Sequence, residues 1–197
     1  MTTETTLSPF LREPQLLGQT VVVIGGSSGI GLETARRARA EGAHVVLTGR
    51  NPERLQHAAL EVGALRSAAF EATDFARLQR FFDELSTPVD HVMITAGGPY
   101  YERLMDIDFE EARRTVDQHL WLPLHVARNA AAKVRPGGTL LFTSGTGGRR
   151  PAVGMALSAA PTALPALTKA LAVHLMTNTA LTGATYDIDG GQQLVEA

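Results

Sequence analysis

Short apolar runs alternate with longer amphipathic stretches along most of the chain. Residues 20–24 and 44–48 are rich in valine, and each run is followed by a stretch with helical spacing of its apolar positions, at residues 32–40 and 53–61. Runs that are apolar at nearly every position are typical of strands whose two faces are both covered. This alternation predicts an α/β protein with a doubly wound, parallel sheet in three layers.

Further elements follow in the same rhythm after residue 61. The pattern predicts helices at residues 75–84, 109–133 and 163–176. It predicts strands at residues 67–70, 91–95, 139–143 and 185–188. Residues 1–17 are polar and contain Pro9 and Pro14, so we expect an N-terminal arm there and a single domain over residues 18–197.

Composition narrows the classes of function. The chain has 18 basic and 20 acidic residues, a formal net charge of −2, so no excess positive field favours nucleic acid or anionic lipid. Its lack of cysteine excludes disulfides and thiolate metal sites, and its six histidines show no metal-binding spacing. No apolar run is long enough to span a membrane. We therefore expect a cytoplasmic protein with a small-molecule partner, and no nucleic acid, membrane or metal ligand.

The strongest chemical signal is the sequence GGSSGIG at residues 25–31, between the first predicted strand and the first predicted helix. Glycines there let backbone amides and the positive end of the helix face a pyrophosphate, as in Rossmann-type dinucleotide sites. A tight strand-to-helix connection is the alternative, but the second strand follows at the distance of a βαβ unit. We predict a dinucleotide site formed by Gly25, Ser27, Ser28, Gly29, Ile30 and Gly31.

The end of the second predicted strand bears on which cofactor binds. Sites for NAD usually place an acidic residue there to hold the ribose 2′-hydroxyl. This chain has Thr48, Gly49 and Arg50 instead, and the Arg50 guanidinium can pair with a 2′-phosphate. A solvated arginine at a helix start is the alternative; we predict NADP rather than NAD.

Three more groups follow predicted strands, at the edge where parallel sheets bind ligands. Asp74 follows the third strand and either contacts the nucleotide or only caps the next helix. Ala96, Gly97 and Gly98 follow the fourth strand, where small residues leave space beneath a nucleotide or serve only a turn. Ser144 ends the fifth strand and either donates to a substrate oxygen or bonds its own backbone.

Together these residues resemble the short-chain dehydrogenase/reductase family over residues 20–191. The resemblance rests on GGSSGIG at 25–31, Asp74, TAGG at 95–98, LLFTS at 140–144 and TGATYDIDGG at 182–191. It implies a Rossmann fold, oxidoreductase activity with NAD or NADP, and assembly as a homodimer or homotetramer.

The chain departs from the family's catalytic set of Asn, Ser, Tyr and Lys. Ser144 matches the serine, but Leu157 and Pro161 stand where the family has the tyrosine and the lysine. In the family the tyrosine is the proton donor, and such general acid–base assistance contributes typically ~10²–10⁴-fold. We therefore expect hydride transfer by the usual route to be severely slowed.

His119 stands at the family's asparagine position and is a catalytic candidate beside Ser144. Tyr100 and Tyr101 are further candidates for the missing acid. Two functions stay open. One is an NADP(H)-dependent oxidoreductase acting on a carbonyl or alcohol, and the other is a dinucleotide-binding sensor or scaffold that has lost its proton relay.

The chain is also short for this class. α/β domains of this kind often run to roughly 250 residues, whereas this chain has 197. The family's sixth strand and its substrate-covering lobe are not recognisable before the ending at residues 182–191. We expect a segment to be missing near residues 161–172, so that two adjacent residues there are not covalent neighbours in the natural protein.

Overall fold

The structure is a computed structural model that describes residues 15–144 and Leu167. The strand predicted at residues 185–188 lies outside the described residues. The helix predicted at residues 163–176 and the expected discontinuity near residues 161–172 also lie outside them, apart from Leu167.

The described strands form one five-stranded parallel sheet in the order β3-β2-β1-β4-β5. The chain runs outward from β1 through β2 to β3 and then returns to pair β4 with the other side of β1. Such a reversal opens a crevice at the carboxyl ends of the strands, where α/β sheets bind ligands. The predicted doubly wound sheet is thereby confirmed. The strands are β1 (Thr20–Ile24), β2 (His44–Gly49), β3 (Arg66–Ala69), β4 (Val89–Ile94) and β5 (Val134–Phe142).

Helices lie between the strands and close to their predicted positions. The helices of the described region are α1 (Gly29–Ala40), α2 (Pro52–Val62), α3 (Phe75–Asp83), α4 (Phe109–Val116) and α5 (Leu122–Ala130). A 3₁₀ turn (Leu104–Asp106) precedes α4, and a π-helical segment (Asp117–Trp121) joins α4 to α5. Within residues 15–144, no helix is both long enough and apolar enough to cross a membrane.

Helices cover both faces of β1, because successive side chains of a strand point to opposite faces. Val22 and Ile24 belong to a core cluster with side chains of α3 and α5. Val21 and Val23 belong to a second cluster with side chains of α1 and α2. Every residue of β1 is buried, as the apolar run predicts.

The helix predicted over residues 109–133 is divided, and it ends at Ala130. Pro123 explains the division. Proline has no N–H to donate to the carbonyl of His119, four residues earlier, and its ring would collide with that carbonyl in a regular α-helix. The backbone instead widens, and the Leu122 N–H donates to the carbonyl of Asp117, five residues earlier.

The strand β5 begins at Val134, well before the predicted start at residue 139. Pro136, Gly137 and Gly138 read locally as a turn, yet they lie inside the strand. β5 is an edge strand of the described sheet, where a proline is tolerated, and a register shift against β4 between Val89 and His91 absorbs the irregularity.

The end of the predicted arm is attached to the domain. The Leu16 N–H donates to the carbonyl of Glu41 at 3.1 Å, and the Leu16 side chain packs against the cluster formed by α1 and α2. The Gln15 N–H donates to the Glu41 carboxylate at 3.0 Å. Residues 15–16 therefore hold the chain against the carboxyl end of α1.

Candidate functional site

The turn after β1 lies where three strand ends meet. The N–H groups of Gly25 and Gly26 donate to the carbonyl of Thr48, at the end of β2, at 3.1 and 2.9 Å. The N–H groups of Thr95 and Ala96, after β4, donate to the carbonyl of Ile24 at 2.8 and 3.1 Å. The glycine turn is thus tied to the ends of both neighbouring strands.

Close contacts within this turn explain why Gly25 and Gly31 are glycines. A Cβ on Gly25 would lie 2.6 Å from the Ala96 nitrogen, and Gly25 has a φ of +95°. A Cβ on Gly31 would collide with the Gly25 carbonyl oxygen and with Thr95 Oγ1. Glycine is therefore required at both positions for α1 to begin this close to the strand ends.

The first turn of α1 offers backbone N–H groups to a ligand. The N-cap residue Ser28 is extended, and its side chain makes no capping hydrogen bond. Ser28, Gly29 and Ile30 are exposed, and no atom lies within 4 Å of the place where a Gly29 Cβ would stand. The first N–H groups of a helix have no partner inside it, so this exposed turn is suited to hold the pyrophosphate of a dinucleotide.

The end of β2 is tightly packed at residue 49. Gly49 is buried, and a Cβ there would lie 3.0 Å from Ser27 Oγ and 3.1 Å from Ser27 Cβ. Arg50 is exposed, and among residues 15–144 no carboxylate pairs with it. At the end of β2 the chain therefore carries Gly49 and an exposed Arg50, and no acidic residue.

Asp74 caps α3, which was one of the two roles left open for it. Its Oδ1 accepts the N–H of Arg77 at 3.0 Å, and the residue is exposed. Capping uses Oδ1 and leaves the carboxylate further acceptor capacity toward the same edge of the sheet. The contact neither requires nor excludes a ligand.

The residues after β4 lie against the π-helical segment. Gly97 has a φ of +118°, and a Cβ there would lie 3.4 Å from Gln118 Cβ and 3.8 Å from His119 Cε1. The Gly98 N–H donates to Gln118 Oε1 at 3.3 Å. Gly97 and Gly98 are exposed, so this contact shapes a surface that a ligand can reach.

His119 is a partly buried residue of the π-helical segment. Its ring nitrogen Nδ1 lies 2.9 Å from the carbonyl oxygen of Thr115 on α4. The ring is thereby fixed against its own helix, with its Cε1 edge toward Gly97. π-helical segments often occur at functional sites, because they turn one side chain out of the regular spacing.

Ser144 follows β5 at the same edge of the sheet and is exposed. The preceding residue, Thr143, fixes this strand end, because its N–H and Oγ1 donate to the carbonyl of Ile94 at 3.2 and 2.9 Å. Of the tyrosine candidates, Tyr101 is exposed, while the Tyr100 hydroxyl accepts the N–H of Asp108 at 2.9 Å.

Two residues of this site were missed from the sequence. Thr95 Oγ1 donates to the carbonyl of Gly25 at 3.1 Å and joins β4 to the glycine turn. Gln118 bonds Gly98 from another element. The TAGG motif at residues 95–98 includes Thr95 and could have directed attention to it, whereas no local signal marks Gln118.

The structure brings the glycine turn, Arg50, Asp74, residues 96–98 and Ser144 to one edge of the sheet. His119 joins them because α4, the π-helical segment and α5 pass beside Gly97. In residues 15–144, no group of three His, Asp or Glu side chains is placed to hold a metal ion.

Comparison with known proteins agrees with this arrangement. The sequence profile of the family described as short chain dehydrogenase matches residues 19–182. The short-chain dehydrogenase/reductase ATR9 of Stachybotrys chlorohalonatus is 32% identical over 179 residues, covering 82% of this chain and 70% of that protein. The cyclic-di-GMP-binding biofilm dispersal mediator protein of Escherichia coli is 31% identical over 160 residues, covering 79% of this chain and 66% of that protein. The chain thus spans about two thirds of the length of these relatives.

Solved structures share the fold. A short-chain dehydrogenase from Burkholderia cenocepacia in complex with NADP has a TM-score of 0.79 at 26% identity, covering 85% of this chain and 72% of that chain. An NAD⁺-bound xylitol dehydrogenase has a TM-score of 0.75 at 22% identity, covering 83% and 67%. The second likeness bears on the fold alone.

Proposed function

The chain belongs to the short-chain dehydrogenase/reductase family, and from this premise we propose that it is an NADP(H)-dependent oxidoreductase. Its reaction is hydride transfer between the nicotinamide and the carbon of a carbonyl or alcohol group in a small-molecule substrate. The observation that carries the proposal is the exposed first turn of α1, with its uncapped N–H groups, at the meeting point of β1, β2 and β4.

The described residues fit a dinucleotide. The N–H groups at Gly29 and Ile30 would hold the pyrophosphate, because the amino end of a helix favours anions. Residues 96–98 would border the nicotinamide half, since all three are small and Gly97 and Gly98 are exposed, which leaves space for it. When bound, NADP(H) supplies the hydride donor or acceptor, while the chain binds and orients the reactants and moves the proton.

The preference for NADP rests on residues 27, 49 and 50. A side chain at residue 49 would press against Ser27, with its Cβ 3.0 Å from Ser27 Oγ, and the buried Gly49 does not supply the acid that usually pairs with a free 2′-hydroxyl. Arg50 offers a planar, permanently charged group for the 2′-phosphate. The likeness to an NADP complex at 26% identity supports the same choice.

Calorimetric titration with NADP⁺ and NAD⁺ tests this choice. We expect wild type to bind NADP⁺ more tightly. Arg50→Ala should weaken NADP⁺ binding about 10- to 100-fold, because a hydrogen bond to a charged group contributes about 1.5–3 kcal/mol. NAD⁺ binding should change little. Arg54→Ala, an exposed arginine on α2, is the matched control. Equal affinities for both nucleotides in wild type would contradict the proposal.

For the chemical step we propose Ser144 and His119. Ser144 is exposed at the end of β5, where its hydroxyl can donate to a substrate oxygen. His119 lies beside Gly97 and carries a titratable ring where the family pattern has an amide. Leu157 and Pro161 stand where the resemblance places the family's tyrosine and lysine, and we therefore assign proton transfer to another group.

A non-catalytic binding protein is the second candidate. Two observations favour it, namely the side chains at positions 157 and 161 and the similarity to a protein named for binding cyclic-di-GMP. Binding NADPH without oxidising it across a panel of carbonyl compounds would support this candidate. Oxidation of NADPH at any carbonyl, lost in Ser144→Ala, would support the oxidoreductase.

We also propose a cytoplasmic homodimer or homotetramer, as the family resemblance implies. Light scattering of the purified protein measures the assembly directly, and a monomer at all concentrations would contradict it. Cell fractionation with an antibody tests the location.

A further inference from the structure

The π-helical segment gives His119 a defined orientation. Pro123 withholds the N–H that would bond the His119 carbonyl in an α-helix, and the backbone widens into the i→i−5 bond from Leu122 to Asp117. The carbonyl oxygen of Thr115 accepts the hydrogen bond from the His119 ring. Thr115 is itself buried, and its Oγ1 donates to the carbonyl of Glu111 at 3.0 Å. The ring is therefore held by a buried part of α4.

This hydrogen bond decides which ring nitrogen carries the proton. His119 Nδ1 lies 2.9 Å from the Thr115 carbonyl oxygen, and a carbonyl oxygen can only accept. The proton in the bond is therefore on Nδ1. In the neutral ring Nε2 is then an unprotonated acceptor, because a neutral imidazole carries one N–H.

The free nitrogen lies next to the surface at which we place the nicotinamide half. His119 Cε1, which is bonded to both ring nitrogens, stands 3.8 Å from the place of a Gly97 Cβ, and Gly97 is exposed. The side chain of the neighbouring Gln118 has a hydrogen bond on this side, because its Oε1 accepts the Gly98 N–H. Nε2 is covalently bonded to Cε1, and Cε1 lies beside the exposed Gly97 at the carboxyl edge of the sheet.

We propose that His119 Nε2 is the proton acceptor when this protein oxidises an alcohol; this rests on the proposed function. The substrate O–H bond breaks and its proton passes to Nε2, while the hydride of the carbinol C–H bond leaves with its electron pair for the nicotinamide of NADP⁺. The products are a carbonyl compound, NADPH and the His119 imidazolium, so atoms and charge balance. The imidazolium keeps its Nδ1 bond to Thr115 and releases the Nε2 proton to solvent.

The tyrosine candidates are less suited to this step. The Tyr100 hydroxyl accepts the Asp108 N–H at 2.9 Å and closes the loop before α4. Tyr101 is exposed. A neutral histidine with a fixed tautomer is ready to accept.

The first test is independent of turnover. Nitrogen-15 NMR of the full chain labelled at histidine shows which ring nitrogen carries the proton, and His119→Asn identifies the His119 signals. We expect neutral His119 to have a protonated Nδ1 and an unprotonated Nε2. A proton on Nε2 would overturn the proposal, whether or not NADP(H) binds.

The second test measures proton transfer. We expect His119→Ala to lower kcat for alcohol oxidation about 10²-fold or more and to keep NADPH affinity, and added imidazole to restore part of the rate. His44→Ala, an exposed histidine at the opposite end of the sheet, should behave as wild type. Unchanged turnover in His119→Ala, or a loss that imidazole does not relieve, would each overturn the assignment. Absence of NADP(H) binding in wild type, or NADP(H) binding without any turnover, would instead contradict the proposed function and with it the assignment that rests on it.

Discussion

Single residues set how closely the elements approach at the site. Gly31 has the Gly25 carbonyl and the Thr95 hydroxyl where a Cβ would stand, whereas no atom lies within 4 Å of a Cβ on Gly98. Both glycines belong to motifs of the same site, but only the first is required by packing. A side chain at residue 31 would therefore collide with its neighbours, whereas a small side chain at residue 98 would point into open space.

Gly31→Ala should destabilise the protein and disturb the turn. Placing a methyl group against backbone atoms in a packed region costs about 1–3 kcal/mol, and the displaced α1 should lose its alignment with a ligand. Urea unfolding and NADPH fluorescence titration measure both effects. Gly98→Ala is the control and should retain wild-type stability. Equal stability of the two variants would show that the turn relaxes freely.

Ser144→Ala should leave nucleotide affinity nearly unchanged and reduce turnover. The serine follows β5, beyond β4 from the glycine turn, so its hydroxyl is placed for a substrate oxygen rather than for the pyrophosphate. Titration with NADPH and steady-state kinetics on one substrate separate the two quantities. Turnover that survives the substitution intact would make Ser144 a turn residue only.

At the scale of elements, aspartates cap the first turns of α3 and α4. Asp74 caps α3 and accepts one backbone N–H of its first turn, and Asp108 caps α4 and accepts two. Such caps contribute about 1 kcal/mol each. Asp74 lies five residues after the end of β3, at the edge of the sheet where the ligand site lies, whereas Asp108 lies fourteen residues after the end of β4.

Asp74 variants can separate capping from ligand contact. Asp74→Ala should lower the free energy of unfolding by about 1 kcal/mol and weaken NADP⁺ binding. Asp74→Asn should keep the cap, since asparagine is an equally good N-cap, and still weaken binding. Asp108→Ala should lose similar stability with binding unchanged. Full NADP⁺ affinity in Asp74→Asn would leave Asp74 with the capping role alone.

Ion pairs connect the exposed faces of α1 and α2. The hydrogen bond from Arg36 lowers the pKa of Glu61, and hydrogen bonds from Arg37 and then Arg36 lower the pKa of Glu33. The hydrogen bond to Glu61, and then that to Glu33, raises the pKa of Arg36. Carboxyl groups with a lowered pKa stabilise the folded state above their unfolded pKa, and this contribution is lost as pH falls through the folded value.

Arg36→Gln should therefore be less stable than wild type at neutral pH and equal to it in acid. The difference disappears when Glu33 and Glu61 are protonated in both states. Urea unfolding over a series from neutral pH down to about pH 2 measures it, because carboxyl groups with a lowered pKa stay ionised in the folded state below their usual range. Because these groups are exposed, added salt should also reduce the difference. A difference that persists in acid would point to packing of the Arg36 stem.

At the scale of the whole molecule, the sheet order creates the site. Reversal of the chain after β3 pairs β4 with β1, so the turns after these two strands touch through Gly25 and Ala96. The chain spans about two thirds of the length of its relatives, 70% and 66% in the two proteins compared. We propose that the difference includes an interior segment near residues 161–172.

Protein purified from its natural source should test this proposal. We expect an intact mass above the 21.0 kDa of the printed sequence and no proteolytic peptide that runs unbroken through residues 161–172. Mass spectrometry with two proteases of different specificity decides it. A contiguous peptide across these residues would show that the printed order is the natural one.

The sequence by itself determined the class of fold and the edge of the sheet that carries the site. The limits of β1 and the start of β2 follow from local apolar runs, because a strand covered on both faces is apolar at nearly every consecutive residue. Gly25 and Gly31 follow the same logic, since a glycine turn between a strand and a helix is a local pattern.

Only the tertiary structure decided how residues distant in sequence meet. Ser27 fills the space beside Gly49, Thr95 bonds Gly25, and His119 turns its ring along Gly97. β5 also begins as early as Val134, because Val134 pairs with Val89 of β4 although residues 136–138 have the sequence of a turn. These contacts depend on close packing between elements, where a difference of one methyl group decides what fits, and no local period in the sequence records that distance.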